Sequence, residues 1–150
     1  TDWIIAHIDK DLNQIAGNHY NYNKKNVYFI NDEEADMNFC IQLLIGDRGD
    51  DIPQLKKGFG IKSAERLLSN TTYDNRIDVV VNEYKRIIGN DWDKRLNLVG
   101  NLIYMKRTWD MEEWNYGDRY SGKTDVSEPN GRDKSDKNED GKELHSNLSN

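Results

Sequence analysis

Residues 43–68, LLIGDRGDDIPQLKKGFGIKSAERLL, join two predicted helices through a segment that is acidic at its start and basic at its end. The apolar residues before Gly46 predict the end of a buried helix, because glycine commonly follows the last helical turn. A second helix is predicted over residues 61–68, after the sequence Gly-Phe-Gly. Fold and function therefore both depend on the connecting segment, residues 46–60, which has aspartates near its start and lysines near its end.

The composition limits the classes of protein to which the chain can belong. It has 150 residues, of which 35% are hydrophobic and 32% are charged, and a formal net charge of −6. This length suffices for one domain with a modest core. An acidic chain does not bind nucleic acid by bulk charge, so such binding would require a local basic patch. With no apolar run of about 20 residues, no signal sequence and only Cys40 as a cysteine, the sequence predicts a cytoplasmic protein without a membrane partner.

The order of predicted elements is strand, strand and then several helices. Two short apolar runs predict buried strands over residues 3–8 and 27–30, and residues 18–25 between them predict a polar loop. Apolar positions at helical spacing predict the helices, over residues 32–45, 61–68, 76–88 and 92–107. The fold class is therefore an α/β fragment, mostly helical, that combines the end of an α/β sheet with a helical segment.

Three regions are predicted along the chain. Residues 1–46 form the α/β part, and residues 47–116 form the helical part. Residues 117–150 contain almost no large apolar side chains. Such a composition cannot bury enough apolar area to offset its conformational entropy, so we expect a disordered polar tail there.

Two pairs of aspartates are candidates for a metal site. Asp9 and Asp11 follow a predicted strand, at the sheet edge where α/β proteins bind ligands, and their spacing allows both carboxylates to converge. Asp47 and Asp50 lie about one helical turn apart and could converge in the same way. The alternative for each pair is an ordinary solvated turn. Together they favour a hard-cation site for two magnesium ions, because Mg²⁺ prefers oxygen ligands and two such ions can clamp a phosphodiester.

The basic end of the segment predicts contact with phosphate. Residues 57–68, KGFGIKSAERLL, fit a helix-hairpin-helix, in which Gly58 and Gly60 let the backbone approach a phosphate closely. The start of the second helix offers unpaired N–H groups and the positive end of its dipole, and Lys57 and Lys62 add charge. The alternative is a plain turn between two helices. Contacts of this kind position a nucleic-acid backbone without reading its bases.

The ordered motifs resemble those of the structure-specific 5′-nucleases, which include bacteriophage 5′–3′ exonucleases, flap endonucleases and the 5′-nuclease part of bacterial DNA polymerases. The resemblance rests on residues 9–11 (DKD), 46–53 (GDRGDDIP) and 58–64 (GFGIKSA), and it is closest to the phage members. Two departures are Asp51, where the family usually has asparagine, and Gln54, where it usually has glycine. The hairpin region around residues 54–56 is also one residue longer.

This resemblance implies a PIN-like parallel sheet, a helix-hairpin-helix and a two-metal site for Mg²⁺ or Mn²⁺. It implies that the carboxylates which hold the metals, and which are the catalytic residues, are Asp9, Asp11, Asp47 and Asp50. It further implies that forked, nicked or flapped duplex DNA with a 5′ end is gripped by Lys57, Gly58, Gly60, Lys62 and Ser63. A potassium ion held by backbone carbonyls at the hairpin is a further implication. If the protein is phage-encoded, its cytoplasm is that of the bacterial host.

The family's remaining metal-binding acids precede the residues matched here. The resemblance therefore implies that an N-terminal nuclease half, in cis or as a separate chain, completes the site, and that this chain alone is inactive or nearly so. The alternative function is a non-catalytic helix-hairpin-helix module that binds DNA. Cleavage of a 5′-flap substrate by the completed protein would separate the two.

Overall fold

The computed structural model describes residues 3–117, so most of the predicted tail, residues 118–150, lies outside the described residues. The described part is a small α/β domain that is about half helical. Its strands are β1 (Ile4–His7), β2 (Gly17–Asn21) and β3 (Asn26–Ile30), and a 3₁₀ turn, Lys10–Gln14, lies between β1 and β2. Its helices are α1 (Asp32–Ile45), α2 (Ile61–Leu68), α3 (Tyr73–Ile88) and α4 (Trp92–Ile103).

The sheet is mixed, whereas the family resemblance implied a parallel one. Its strand order is β1-β2-β3, with β1 parallel to β2 and β2 antiparallel to β3. The predicted polar loop over residues 18–25 is wrong at its start, because β2 is the central strand. Burial of His19 and pairing on both sides outweigh the low strand propensity of its asparagines.

Helix α1 is the centre of the core. A capping box begins it, in which Asn31 Oδ1 accepts from the Glu34 N–H and Glu34 Oε2 accepts from the Asn31 N–H. Gly46 ends it, and the Gly46 N–H donates to the Gln42 carbonyl at 2.8 Å. Helices α2, α3 and α4 all pack against α1. The core they enclose includes Phe39, Leu43, Leu44, Leu68, Val80, Tyr84, Leu96 and Val99.

The predicted helices are found, with shifted ends. Helix α3 begins at Tyr73 rather than at residue 76, and α4 ends at Ile103 rather than at residue 107. The residues after α4 return over the core, where Trp114 lies edge-on to Phe39 with 5.4 Å between the ring centroids. Within residues 3–117 no helix is long and apolar enough to cross a membrane.

One face of the sheet is apolar and exposed. The side chains of Ile4, Val27 and Phe29 point away from the domain, with exposed fractions of 50%, 65% and 64%. Strand β1 pairs only with β2 among the described strands, so its other backbone edge is open. This outer face and open edge are surfaces that strands of α/β proteins normally cover with further strands and helices.

Candidate functional site

The carboxyl end of β1 leads into a tight turn that Asp9 caps. The Asp9 carboxylate accepts from the backbone N–H of Asp11 at 2.9 Å, which begins the 3₁₀ turn Lys10–Gln14. This capping bond directs the Asp9 side chain along its own backbone. Asp9 and Asp11 therefore follow the strand as predicted, but only the Asp9 carboxylate caps the turn.

A buried polar network anchors the backbone at this strand end. His7 Nδ1 donates to the Asp9 carbonyl at 2.5 Å, and His7 Nε2 lies 2.7 Å from His19 Nδ1. His19 Nε2 donates to the Ile15 carbonyl at 2.8 Å, and the Tyr28 hydroxyl lies 3.2 Å from His7 Nε2. Both histidines are buried, so the network fixes the position of the turn from the interior of the domain.

The loop after α1 folds back on itself and presents the second pair of aspartates. The backbone N–H groups of Asp47 and Ile52 donate to each other's carbonyls, at 3.0 and 2.7 Å. Within this closed loop, Asp47 Oδ1 accepts from the Gly49 N–H at 2.7 Å. The segment is thus a bridged loop, not the helical turn that the spacing of Asp47 and Asp50 suggested.

Three carboxylates from two separate parts of the chain converge. One carboxylate oxygen from each of Asp11, Asp47 and Asp50 lies within 4.8 Å of the others, and residues 3–117 contain no other group of three His, Cys, Asp or Glu side chains as close together. We refer to Asp11, Asp47 and Asp50 as the acidic cluster. Asp9 lies outside it. The structure therefore brings together three of the four residues that the sequence singled out.

Lys10 lies beside the acidic cluster, although the sequence reasoning gave it no role. Its Nζ is 2.9 Å from Asp47 Oδ2 and 3.7 Å from Asp11 Oδ1. Its position between two aspartates in the sequence was the signal that could have identified it. The ammonium group partly neutralises carboxylates that would otherwise repel each other.

The electrostatics of the cluster differ from one aspartate to the next. Burial raises the pKa of Asp11, and the positive charge of Lys10 opposes that rise. The hydrogen bond from Lys10, followed by that from the Gly49 N–H, lowers the pKa of Asp47. The hydrogen bond to Asp47 raises the pKa of Lys10. An added cation would oppose the rise in the pKa of Asp11, as Lys10 does, because it favours the charged form of the carboxyl group.

The basic end of the segment forms turns followed by helix α2. Gly58 has φ of +81°, and a side chain at either Gly58 or Gly60 would meet no atom within 4 Å, so the backbone is open to a ligand here. Gly60 caps α2 without a side-chain hydrogen bond, which leaves the helix N-terminus available. A cavity of about 570 Å³ lies at this turn, lined by Lys56, Lys57, Gly58, Phe59, Ser63, Arg66 and Leu67.

Of the predicted helix-hairpin-helix, the structure shows a single helix, α2, directly after the two glycines. Residues 53–60, which precede it, contain no helix. The Leu55 N–H donates to the Leu44 carbonyl at 2.9 Å, which ties this segment to the end of α1. The segment is therefore held against the core by this backbone bond and by the buried side chain of Leu55, without a preceding helix of its own.

The two departures from the family pattern have local explanations. Asp51 has φ of +56°, in the left-handed region that asparagine and aspartate tolerate better than most residues. With its amide nitrogen towards the Phe59 carbonyl, Gln54 donates there at 3.2 Å and accepts from the Gly58 N–H at 3.0 Å. Gln54 thus stabilises the turn that contains Gly58 and Gly60, which we refer to as the glycine turn, and a glycine at position 54 could not do so.

Comparison of the chain with protein-family models, curated proteins and solved structures finds no match. The assignment of a function therefore depends on the residues of the acidic cluster and of the glycine turn, and on the motif resemblance that they carry.

Proposed function

We propose that the chain is the C-terminal part of a divalent-metal-dependent 5′–3′ exonuclease or flap endonuclease that hydrolyses DNA. The observation that carries this proposal is the convergence of Asp11, from the end of β1, with Asp47 and Asp50, from the loop after α1. These are members of two motifs far apart in sequence, and both belong to the nuclease pattern. If the turn after β1 or the loop after α1 were an ordinary solvated turn, its aspartates would have no reason to lie close to those of the other segment.

The donor set of the acidic cluster fits Mg²⁺ or Mn²⁺. It offers carboxylate oxygens only, which suits a hard cation, and the Gly49 N–H orients the carboxylate of Asp47. When bound, such a metal supplies Lewis-acid activation of water and stabilisation of a leaving oxygen. Lys10 compensates the charge of Asp11 and Asp47 when no cation is there, and its mainly exposed side chain is free to swing out.

The glycine turn provides the proposed grip on duplex DNA. Gly58 and Gly60 let phosphate oxygens reach the backbone, and the N-terminus of α2 favours negative charge. Lys57, Lys62 and Ser63 add side-chain donors around the same turn. A potassium ion at the turn carbonyls would belong to this grip, as in the helix-hairpin-helix that the motif resembles. The substrate is a forked, nicked or flapped duplex with a 5′ end.

The open edge of β1 and the apolar outer face of the sheet support a further partner. An N-terminal α/β half, in cis or as a separate chain, would add strands to β1 and bury Ile4, Val27 and Phe29, which gives a PIN-like core. Its strand ends would lie beside Asp9 and Asp11 and could contribute the remaining carboxylates. The completed assembly, rather than this chain alone, is the proposed enzyme.

The rival function is a non-catalytic DNA-binding module. The observation in its favour is the ion pair between Lys10 and Asp47, because a lysine can balance the cluster without any metal. In that case the glycine turn still binds DNA, while the aspartates serve only to close the loop after α1.

Substitution of the cluster in the completed protein tests the nuclease. With Mg²⁺ and a 5′-flap substrate, we expect Asp11→Asn and Asp47→Asn each to lower kcat by about a hundredfold or more, because each removes a metal-holding charge. Asp9→Asn should lower kcat less, because the Asp9 carboxylate caps the turn and lies outside the acidic cluster. Asp110→Asn, an exposed aspartate outside the cluster, is the matched control and should cleave like the wild type. Full activity in the first two variants would refute the metal assignment, and tight binding without cleavage would favour the rival.

The salt dependence of DNA binding tests the glycine turn separately. Each phosphate contact contributes about 0.9 to the slope of log K against log salt concentration. We therefore expect Lys57→Ala combined with Lys62→Ala to reduce that slope by about two and to weaken binding equally for all sequences. The measurement is fluorescence anisotropy with labelled duplex DNA at several salt concentrations. The control is Lys94→Ala with Lys106→Ala, two exposed lysines outside the turn. Identical slopes in both double variants would rule out the turn as the phosphate site.

A further inference from the structure

Two buried glutamines connect the acidic cluster to the end of α4. Gln42, in α1, is 9% exposed, and Gln14, in the 3₁₀ turn, is 4% exposed. Gln42 Nε2 donates to Asp11 Oδ1, and Gln14 Nε2 donates to Gln42 Oε1. Gln14 Nε2 also donates to the Ile103 carbonyl at 2.9 Å. A continuous chain of hydrogen bonds thus runs from Asp11 through two side-chain amides to the backbone.

The backbone at the far end of this chain sets the direction of both amides. The Ile103 carbonyl can only accept, and the Met105 N–H, 3.4 Å from Gln14 Oε1, can only donate. Gln14 therefore has one orientation that satisfies both groups. Its NH₂ group then requires an acceptor on Gln42, so that Gln42 turns its oxygen to Gln14 and its own NH₂ group to Asp11.

A second contact holds Gln14 in place. Arg107 NH2 donates to the Gln14 carbonyl at 3.1 Å, so the segment after α4 contacts both the backbone and the side chain of this residue. The 3₁₀ turn that carries Asp11 is thereby fixed against the segment that follows α4. The donor presented to Asp11 is set by residues distant from it in sequence.

We infer that Gln42 and Gln14 are positioning residues that aim the Asp11 carboxylate into the metal site. This inference rests on the proposed nuclease function and deepens it. Gln42 occupies one oxygen of Asp11 with a donor, which limits the rotation of the carboxylate. Gln14 determines which end of the Gln42 amide faces Asp11. Hydrogen-bonded partners of metal-binding carboxylates commonly change metal affinity by about 10–100-fold when they are removed.

Replacement of each glutamine by methionine tests this role, because methionine has a similar length and no N–H group. The readout is the Mn²⁺ affinity of the chain, measured by electron paramagnetic resonance, together with the free energy of unfolding without metal. We expect Gln42→Met to weaken Mn²⁺ binding by about 10–100-fold and Gln14→Met to weaken it less, in the same direction. The matched control is Asn101→Leu, whose amide donates to the carbonyls of Asn97 and Trp114, both outside the acidic cluster. It should keep the wild-type Mn²⁺ affinity even if it lowers stability as much.

The outcomes separate the positioning role from the function on which it rests. Unchanged Mn²⁺ affinity in folded Gln42→Met, beside a wild type that binds Mn²⁺, overturns the positioning role and leaves the nuclease proposal standing. Absence of Mn²⁺ binding in the wild-type chain overturns the holding of a metal by its three carboxylates alone, and the positioning role with it, while cleavage by the completed protein still tests the nuclease. If Gln42→Met does not fold, Gln14→Met decides, because it keeps the donor on Gln42 and removes the amide that orients it. Equal losses in Asn101→Leu and Gln42→Met would mean that stability alone controls the affinity.

Discussion

Replacing Arg76 with methionine is expected to lower the free energy of unfolding by about 3–5 kcal/mol, because it removes a buried cation that is hydrogen-bonded to a buried carboxylate. Arg76, in α3, is 1% exposed, and its NH1 donates to Asp36 Oδ2 at 2.8 Å. Asp36, in α1, is itself buried. The pair joins the two helices that enclose most of the core. Urea denaturation followed by circular dichroism measures the loss.

The second partner of the same arginine provides the control. Arg76 NH2 lies 3.2 Å from Glu33 Oε1, and the side chain of Glu33 is 65% exposed. Exposed ion pairs contribute about 0–1 kcal/mol, so Glu33→Gln should cost no more than that. Adding Asp36→Leu to Arg76→Met should recover part of the stability, because it replaces the buried carboxylate with an apolar side chain. A loss below about 1 kcal/mol in Arg76→Met would contradict a buried ion pair that matters for folding.

Local sequence signals located the helices well. Asn31 with Glu34 marks the start of α1, and Gly46 marks its end, because capping and termination depend on residues within one turn. Strand β2 was missed because its signal is not local. Gly-Asn-His-Tyr-Asn has neither apolar alternation nor β-branched residues, and it becomes a strand because neighbours pair with it on both sides.

The residue types of the candidate site could be predicted from the sequence, but its hydrogen bonds and ion pairs could not. Spacing placed Asp9 and Asp11 after a strand, but it could not show that the Asp9 carboxylate would cap the turn by accepting a hydrogen bond from the Asp11 N–H. Lys10 reaches Asp47, and Gln42 reaches Asp11, only through tertiary folding, across contacts that no periodicity encodes. The sequence therefore identified a cluster of acids, while its counter-charge and its hydrogen-bond support required the fold.

Gly46→Ala is expected to lower the free energy of unfolding by about 3–5 kcal/mol, as conformational strain and a steric clash act together. Gly46 has φ of +62° and ψ of −164°, a region that is almost confined to glycine. A Cβ there would also meet the Ile52 carbonyl oxygen, and it would lie 2.7 Å from the Pro53 carbonyl carbon. These are backbone atoms of the loop that Asp47 and Ile52 close, so they cannot move aside without opening it.

The matched control is Gly58→Ala, in the glycine turn. Gly58 also has a positive φ, +81°, but a Cβ there would meet nothing within 4 Å. It should therefore cost only the conformational term, about 1–2 kcal/mol. Because Asp47, a residue of the proposed metal site, follows Gly46 directly, that proposal predicts that Gly46→Ala also weakens Mn²⁺ binding, whereas Gly58→Ala leaves it unchanged. Equal destabilisation in the two variants would show that the loop after α1 shifts to accommodate the added methyl group. In that case the closure of the loop does not fix the position of Asp47.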